Sequence, residues 1–196
     1  LAAYLGQNRP NRASGIYQDD WEGQLNGNII GTYNVFEAAR LAGVKRVVFA
    51  SSGNVIRGFE RDEPYRAISE ARFDDVPSEI PMITHEMTRP HAIYGVAKVF
   101  GESLGRYYSD AHGMSFLCVR IGVVKQSNMP EAPRDRAIYL SHDDVTTMLK
   151  LCIDAPDELK YDIFFATSNN KYSYRDISHA REVLGYEPKD SGDDFF

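Results

Sequence analysis

Arg46-Val47-Val48-Phe49-Ala50-Ser51-Ser52 is the stretch on which the fold turns. Its centre, Val47 to Ala50, is a short apolar run that does not alternate, as expected of a strand covered on both faces by helices; that implies a parallel sheet. Before it, Asp19 to Ala42 reads as one long helix. Trp21, Leu25, Ile29, Tyr33 and Phe36 recur at three- and four-residue steps to form a stripe for burial, and Gly43 stands where a left-handed cap is wanted. After it, helical spacing returns from Tyr94 to Asp110, with Val99 or Phe100, Leu104 and Tyr107 or Tyr108 marking a face, and Gly113 stops it. Ser115 to Ile121 and Tyr161 to Ala166 read as two more buried strands. A helix to about Asp154 starts at Ser141, whose hydroxyl would accept from the Asp144 amide while the Asp144 carboxylate reaches back. A last helix is expected over Ser173 to Leu184. Helix, strand, helix, strand, helix, strand, helix is the order of a doubly wound α/β fold. Residues 51–93, rich in charge and carrying Pro64, Pro77, Pro81 and Pro90, form an insertion too long for a plain connection.

Composition narrows the function. The 196 residues are 43% hydrophobic, with 22 basic against 28 acidic side chains and a net charge of -6. No apolar run approaches the roughly 18 residues of a membrane span, so a cytoplasmic chain with no membrane partner is expected. Basic residues are scattered among acids, which argues against nucleic acid as a partner. Cys118 and Cys152 each lie in an apolar run and read as buried thiols. His85-Glu86 and His91 do not make a zinc motif, because Pro90 would break the helix it needs, and no metal is expected. The chain opens on Leu1-Ala2-Ala3-Tyr4-Leu5 without an initiator methionine, which reads as a piece of a longer protein.

The residues with chemistry cluster at two places. In Tyr94-Gly95-Val96-Ala97-Lys98, positions four apart share a helix face, so a phenol and an ammonium project into one space. A cation close to a phenol stabilises the phenolate, and the pair could then take a proton from an alcohol. Ser51-Ser52 lies at the C-terminal end of the first strand, the edge where open parallel sheets bind ligands. One serine could orient a substrate hydroxyl while the other belongs to the strand-end turn with Gly53 and Asn54.

Taken together with Asn28-Ile29-Ile30-Gly31-Thr32, Val119-Arg120-Ile121-Gly122 and Leu184-Gly185-Tyr186-Glu187-Pro188-Lys189, these segments resemble the extended short-chain dehydrogenase/reductases of the NAD-dependent epimerase/dehydratase type. Within that superfamily, Leu140-Ser141-His142-Asp143-Asp144 and the Gly185 to Asp190 ending are similar to the branch of uronate dehydrogenases and an archaeal NAD-dependent glucose-6-phosphate dehydrogenase. The resemblance implies a Rossmann-like doubly wound parallel sheet. It also implies NAD as cofactor, with NADP open, and oxidation of the anomeric carbon of an acidic hexose to a lactone. Tyr94 would be the base, Lys98 would lower its pKa and hold the nicotinamide ribose, and Ser52 would hydrogen-bond the reacting oxygen. Asn54 and Arg134 would contact substrate, with Arg136 as the neighbouring rival. Ala2, Ala3, Asn28 and Ser51 would lie along the cofactor. No G-x-x-G-x-x-G turn is present, and Gly23, Gly27 and Gly31 are spaced four apart inside a helix. The expected form is therefore a single incomplete domain over 1–196 without its N-terminal glycine-rich βαβ half, with residues 122–196 as a small C-terminal substrate-binding part. Val123 stands where the uronate branch has a serine, so uronate and sugar phosphate both remain open. The resemblance also implies a homodimer through paired long helices. The alternatives are an epimerase or dehydratase of the same family, or a truncated member that does not bind dinucleotide.

Overall fold

The computed structural model describes residues 21–196. Ala2 and Ala3 lie outside these described residues. Strands β1 (Arg46–Ser52), β2 (Ser115–Ile121) and β3 (Tyr161–Ala166) form a parallel sheet in the order β1-β2-β3. Arg46 is opposite Ser115 and Ser52 opposite Ile121, so the first two strands end level with each other. Helix α1 (Trp21–Gln24) runs through a π-helical turn (Leu25–Ile30) into α2 (Gly31–Leu41), which precedes β1. The remaining helices are α3 (Tyr65–Ser69), α4 (Ile93–His112), α5 (His142–Asp154) and α6 (Ser178–Leu184).

Strand alternation sorts the core. Phe49, Phe116 and Cys118 meet Phe36 of α2 and Tyr108 of α4 on one face. Leu117, Val119 and Phe164 meet Met148 and Cys152 of α5 and Ala180 of α6 on the other. Helices on both faces explain why these strands read as continuous apolar runs. A third core of Val55, Ile56, Ile68, Ile83, Ile138, Phe165 and Tyr174 joins the 51–93 segment to the C-terminal part, so that segment is packed wall rather than loose connection. Both cysteines are free and buried; burial holds the Cys118 thiol well above its ordinary value and pushes that of Cys152 up to about 12.

Three expectations need correction. The long helix buries Gln24, Asn28 and Phe36, whereas Trp21 and Tyr33 are 56% and 48% exposed. A π turn takes in an extra residue, which rotates the face and breaks a stripe counted at an unbroken helical period. The last helix starts at Ser178, not Ser173. Ile83 draws the preceding residues into an extended bridge: its N–H donates to the Tyr174 carbonyl at 2.8 Å, and the Asp176 N–H donates to the Ile83 carbonyl at 3.0 Å. Only half of the Ser141 capping box forms. The Ser141 hydroxyl accepts from the Asp144 N–H at 3.0 Å. The Asp144 carboxylate instead accepts from the Ser168 hydroxyl at 2.6 Å and from the backbone N–H of Lys189 at 2.8 Å, anchoring the C-terminal segment.

Helix α4 lies close to the sheet because small residues face it. A methyl group on Gly101 would sit 2.3 Å from the Phe49 ring, so Gly101→Ala should cost about 1–3 kcal/mol by overpacking. At the same interface Arg120 and Glu102 form a buried ion pair with both nitrogen-to-oxygen bonds at 2.9 Å. Arg120→Met should cost about 3–5 kcal/mol by stranding the carboxylate, and adding Glu102→Met should recover part of the loss. Urea denaturation midpoints of the three variants measure both effects.

Candidate active site

At the C-terminal edge of β1 lies a cavity of about 100 Å³, lined by Ser52, Gly53, Asn54, Arg57, Glu60, Ile121, Gly122, Val123, Arg134, Ile138 and Arg175. Adjacent strand residues project to opposite faces, and this separates the two serines. The Ser51 hydroxyl donates to Glu102 Oε1 at 2.6 Å inside the core. That side chain is committed to the fold, so any contact of Ser51 with a cofactor would come from its backbone.

Ser52 faces the site. Its oxygen accepts from the Asn54 N–H and from Asn54 Nδ2, both at 3.1 Å. With its lone pairs so engaged, the Ser52 hydroxyl has its proton free to turn toward the Tyr94 phenol, whose pKa it lowers. Burial raises the Tyr94 phenol above the usual 10.0, and the Ser52 hydrogen bond pulls it back. Lys98 lies on the same face of α4, but its ammonium donates to the Ala50 carbonyl at 2.8 Å and stands 5.6 Å from the centre of the Tyr94 ring. Burial pushes the Lys98 pKa down. Among these residues Ser52 lowers the phenol pKa, while the Lys98 ammonium lies beside the ring and bonds the strand.

Arg134 reaches the cavity, its Nη2 donating to Glu60 Oε1 at 3.0 Å. Arg136 bonds Asp193 at 2.9 and 3.1 Å and sits over the rings of Phe73, Tyr172 and Phe196, so of the two rivals Arg134 is the one at the cavity. Asn28 is buried in the π turn, where its Nδ2 donates to Gln24 Oε1 at 2.6 Å, and this turn packs on α4. Sequence reasoning missed Arg57, Glu60, Tyr174 and Arg175. The first two sat in the segment read as an insertion, and the last two in the segment read as helix. It also missed a cluster of His85, Asp162 and His179, in which His179 Nε2 lies 2.8 Å from Asp162 Oδ1. The two imidazoles there stack face to face at 3.9 Å and 15°, so their in-plane lone pairs do not converge on a common point.

Residues 14–128 match the model of the NAD dependent epimerase/dehydratase family. An NAD-dependent glucose-6-phosphate dehydrogenase of Haloferax volcanii is 38% identical over 180 residues, which cover 89% of this chain and 64% of that protein. A uronate dehydrogenase of Agrobacterium fabrum is 38% identical over 173 residues, covering 87% of this chain and 57% of that one. A mutant uronate dehydrogenase from Agrobacterium tumefaciens, solved in complex with NAD, superposes with a TM-score of 0.74 at 34% identity, over 90% of this chain and 59% of its own. The chain thus spans between half and two thirds of the length of these relatives.

The opposing influences on Tyr94 can be separated by experiment. With tyrosine labelled at the ring Cζ, the Tyr94 carbon resonance should titrate above the ordinary 10.0, and in Ser52→Ala it should titrate higher still, because the group that lowers the value is gone.

Proposed function

The chain belongs to the NAD dependent epimerase/dehydratase family, and on that premise we propose that it carries the catalytic residues of an NAD-dependent oxidoreductase. The enzyme would oxidise the anomeric carbon of an acidic hexose to a lactone. The observation that carries this reading is Ser52, oriented by Asn54 and acting on the Tyr94 phenol at the C-terminal edge of β1, beside a cavity holding Arg134.

The residues present fit the nicotinamide end of a dinucleotide. Lys98 spends one N–H on Ala50 and retains two donors beside the Tyr94 ring, a donor set that a ribose diol can use. When bound, the nicotinamide accepts the hydride that leaves the anomeric carbon. Everything else falls to the chain. Ser52 hydrogen-bonds the anomeric oxygen and holds it against Tyr94. The phenolate of Tyr94 takes the hydroxyl proton as the carbon–oxygen double bond forms. Arg134 binds the acidic group and so sets which carbon faces the hydride acceptor. Asn54 aims Ser52 by occupying its lone pairs. Asn28 keeps α4 in place from the π turn.

The names of the relatives support both a sugar substrate and NAD. Exposed Trp21, Tyr33, Val96 and Tyr107 on the packed α1–α2 and α4 helices support a homodimer through these faces. Among the described residues no helix is long and apolar enough to cross a membrane. Two free cysteines accord with the reducing cytoplasm as the place of action.

In the complete protein Tyr94→Phe should lower kcat about 10²–10⁴-fold, the worth of a positioned general base, and leave NAD affinity within a few-fold. NADH absorbance and calorimetric titration with NAD read the two quantities. Because burial holds the phenol above its ordinary value, kcat/KM should climb with pH from neutral into the alkaline range, and Ser52→Ala should move that rise to higher pH. A flat profile, or full turnover in Tyr94→Phe, would refute the assignment.

A further inference from the structure

Arg57, Arg134 and Arg175 face the cavity against one carboxylate, Glu60. That carboxylate is fully engaged: it accepts from Arg57 Nε at 3.2 Å, Arg134 Nη2 at 3.0 Å and the Tyr174 hydroxyl at 2.8 Å. Glu60 acts on Arg175 through its charge but makes no hydrogen bond to it. The Arg175 side chain is buried, with the residue 5% exposed, and its Nε and Nη1 have no hydrogen-bond partner among the described residues; Arg134 Nε is in the same condition. The Arg175 guanidinium lies over the backbone of Gly53, where a β-carbon would fall 2.2 Å from Nη2, so only glycine beside Ser52 leaves room for it. Its backbone is pinned by the Ile83 bridge, which fixes where the side chain starts.

An arginine does not shed its proton in a protein. A buried guanidinium with two of its nitrogens unpartnered is a costly arrangement for a fold to retain, and here it borders the cavity that Ser52 lines. We propose that Arg175, with Arg134, binds the phosphate group of a hexose phosphate, which makes a phosphorylated sugar, rather than a uronate, the substrate of this protein. Charge decides between the two. Three guanidiniums and one carboxylate leave two positive charges. A monoester phosphate near neutral pH brings about −1.5 to −2 and three acceptor oxygens, which match the two charges and the unpartnered nitrogens of Arg175 and Arg134. A uronate brings a single charge and two oxygens, and one arginine fork satisfies it. The cavity has the volume of roughly three water molecules, room for one such anionic group with the sugar ring extending toward Ser52.

The inference rests on the dehydrogenase reading for the sugar, whereas the anion site can be tested without turnover. Calorimetric titration of the complete protein with inorganic phosphate, glucose 6-phosphate and glucuronate should show phosphate and glucose 6-phosphate binding. Arg175→Met should weaken both on the order of tenfold or more, as expected for lost hydrogen bonds to a charged group. In NADH production, glucose 6-phosphate should exceed glucuronate in kcat/KM by at least about tenfold, and Arg175→Met should collapse the preference for glucose 6-phosphate over unphosphorylated glucose. If Arg175→Met does not fold by circular dichroism, Arg175→Lys, which keeps the charge and loses the fork, carries the same comparison. Phosphate binding that ignores Arg175, or a preference for glucuronate, overturns the proposal. Arg175-dependent phosphate binding with no NADH from any sugar would uphold the anion site and defeat the dehydrogenase reading.

Discussion

The structure depends on one buried ion pair. Arg120, wholly inaccessible on β2, donates through Nε and Nη2 to the two oxygens of Glu102 on α4, and through Nη1 to the Met87 carbonyl. Glu102 also takes the Ser51 hydroxyl, and the Arg120 guanidinium sits 5.3 Å from the centre of the Phe165 ring. A pair removed from water gains little net stability over apolar packing of the same volume. What it contributes is position: a fork on two oxygens tolerates little rotation or sliding. It joins the second strand, the first strand, the helix between them and the segment that leads into that helix. Tyr94, Lys98 and Glu102 recur at four-residue steps on α4, so fixing Glu102 against the sheet fixes the phenol above the end of β1.

From that placement the polarity of the site follows. Ser51 and Ser52 are chemically alike, but the pleat turns one into the ion pair and the other toward the cavity. The second has its acceptor sites filled by Asn54, which leaves its proton free to turn toward Tyr94, whose phenol pKa it lowers. Lys98 closes the arrangement from below by tethering itself to the Ala50 carbonyl. The phenol is thus poised by two opposing influences, desolvation and one directed hydrogen bond, and the ammonium remains available to a neighbouring ligand.

The far wall of the cavity comes from two distant stretches of chain. The 3-10 turn at Arg57–Arg61 supplies Arg57 and Glu60, and the extended residues before α6 supply Tyr174 and Arg175. Their shared core of Val55, Ile56, Ile83 and Ile177 brings them together, and the Ile83 bridge holds them in register. The result is a surplus of positive charge next to Ser52.

How much of this was legible in the sequence depends on the range of the interactions. The three strands, the Tyr94–Lys98 helix and the C-terminal edge of β1 could be read directly, because apolar runs and four-residue spacing are local consequences of backbone geometry. Ser52, Asn54 and Arg134 were named as candidates, and the structure brings them to one cavity with Tyr94 beside Ser52. The burial of the long helix was misjudged because a π turn leaves no mark in a periodic count. The last helix was drawn too long because Ile83, far away in sequence, supplies the hydrogen bonds that keep Tyr174 and Arg175 extended. The sequence alone determined the architecture and the phenol, ammonium and hydroxyl that could do chemistry. Only the tertiary structure decided which serine faces the site and that Arg175 is buried with two of its nitrogens unpartnered. Those outcomes rest on contacts between residues tens of positions apart, and local patterns carry no record of such contacts.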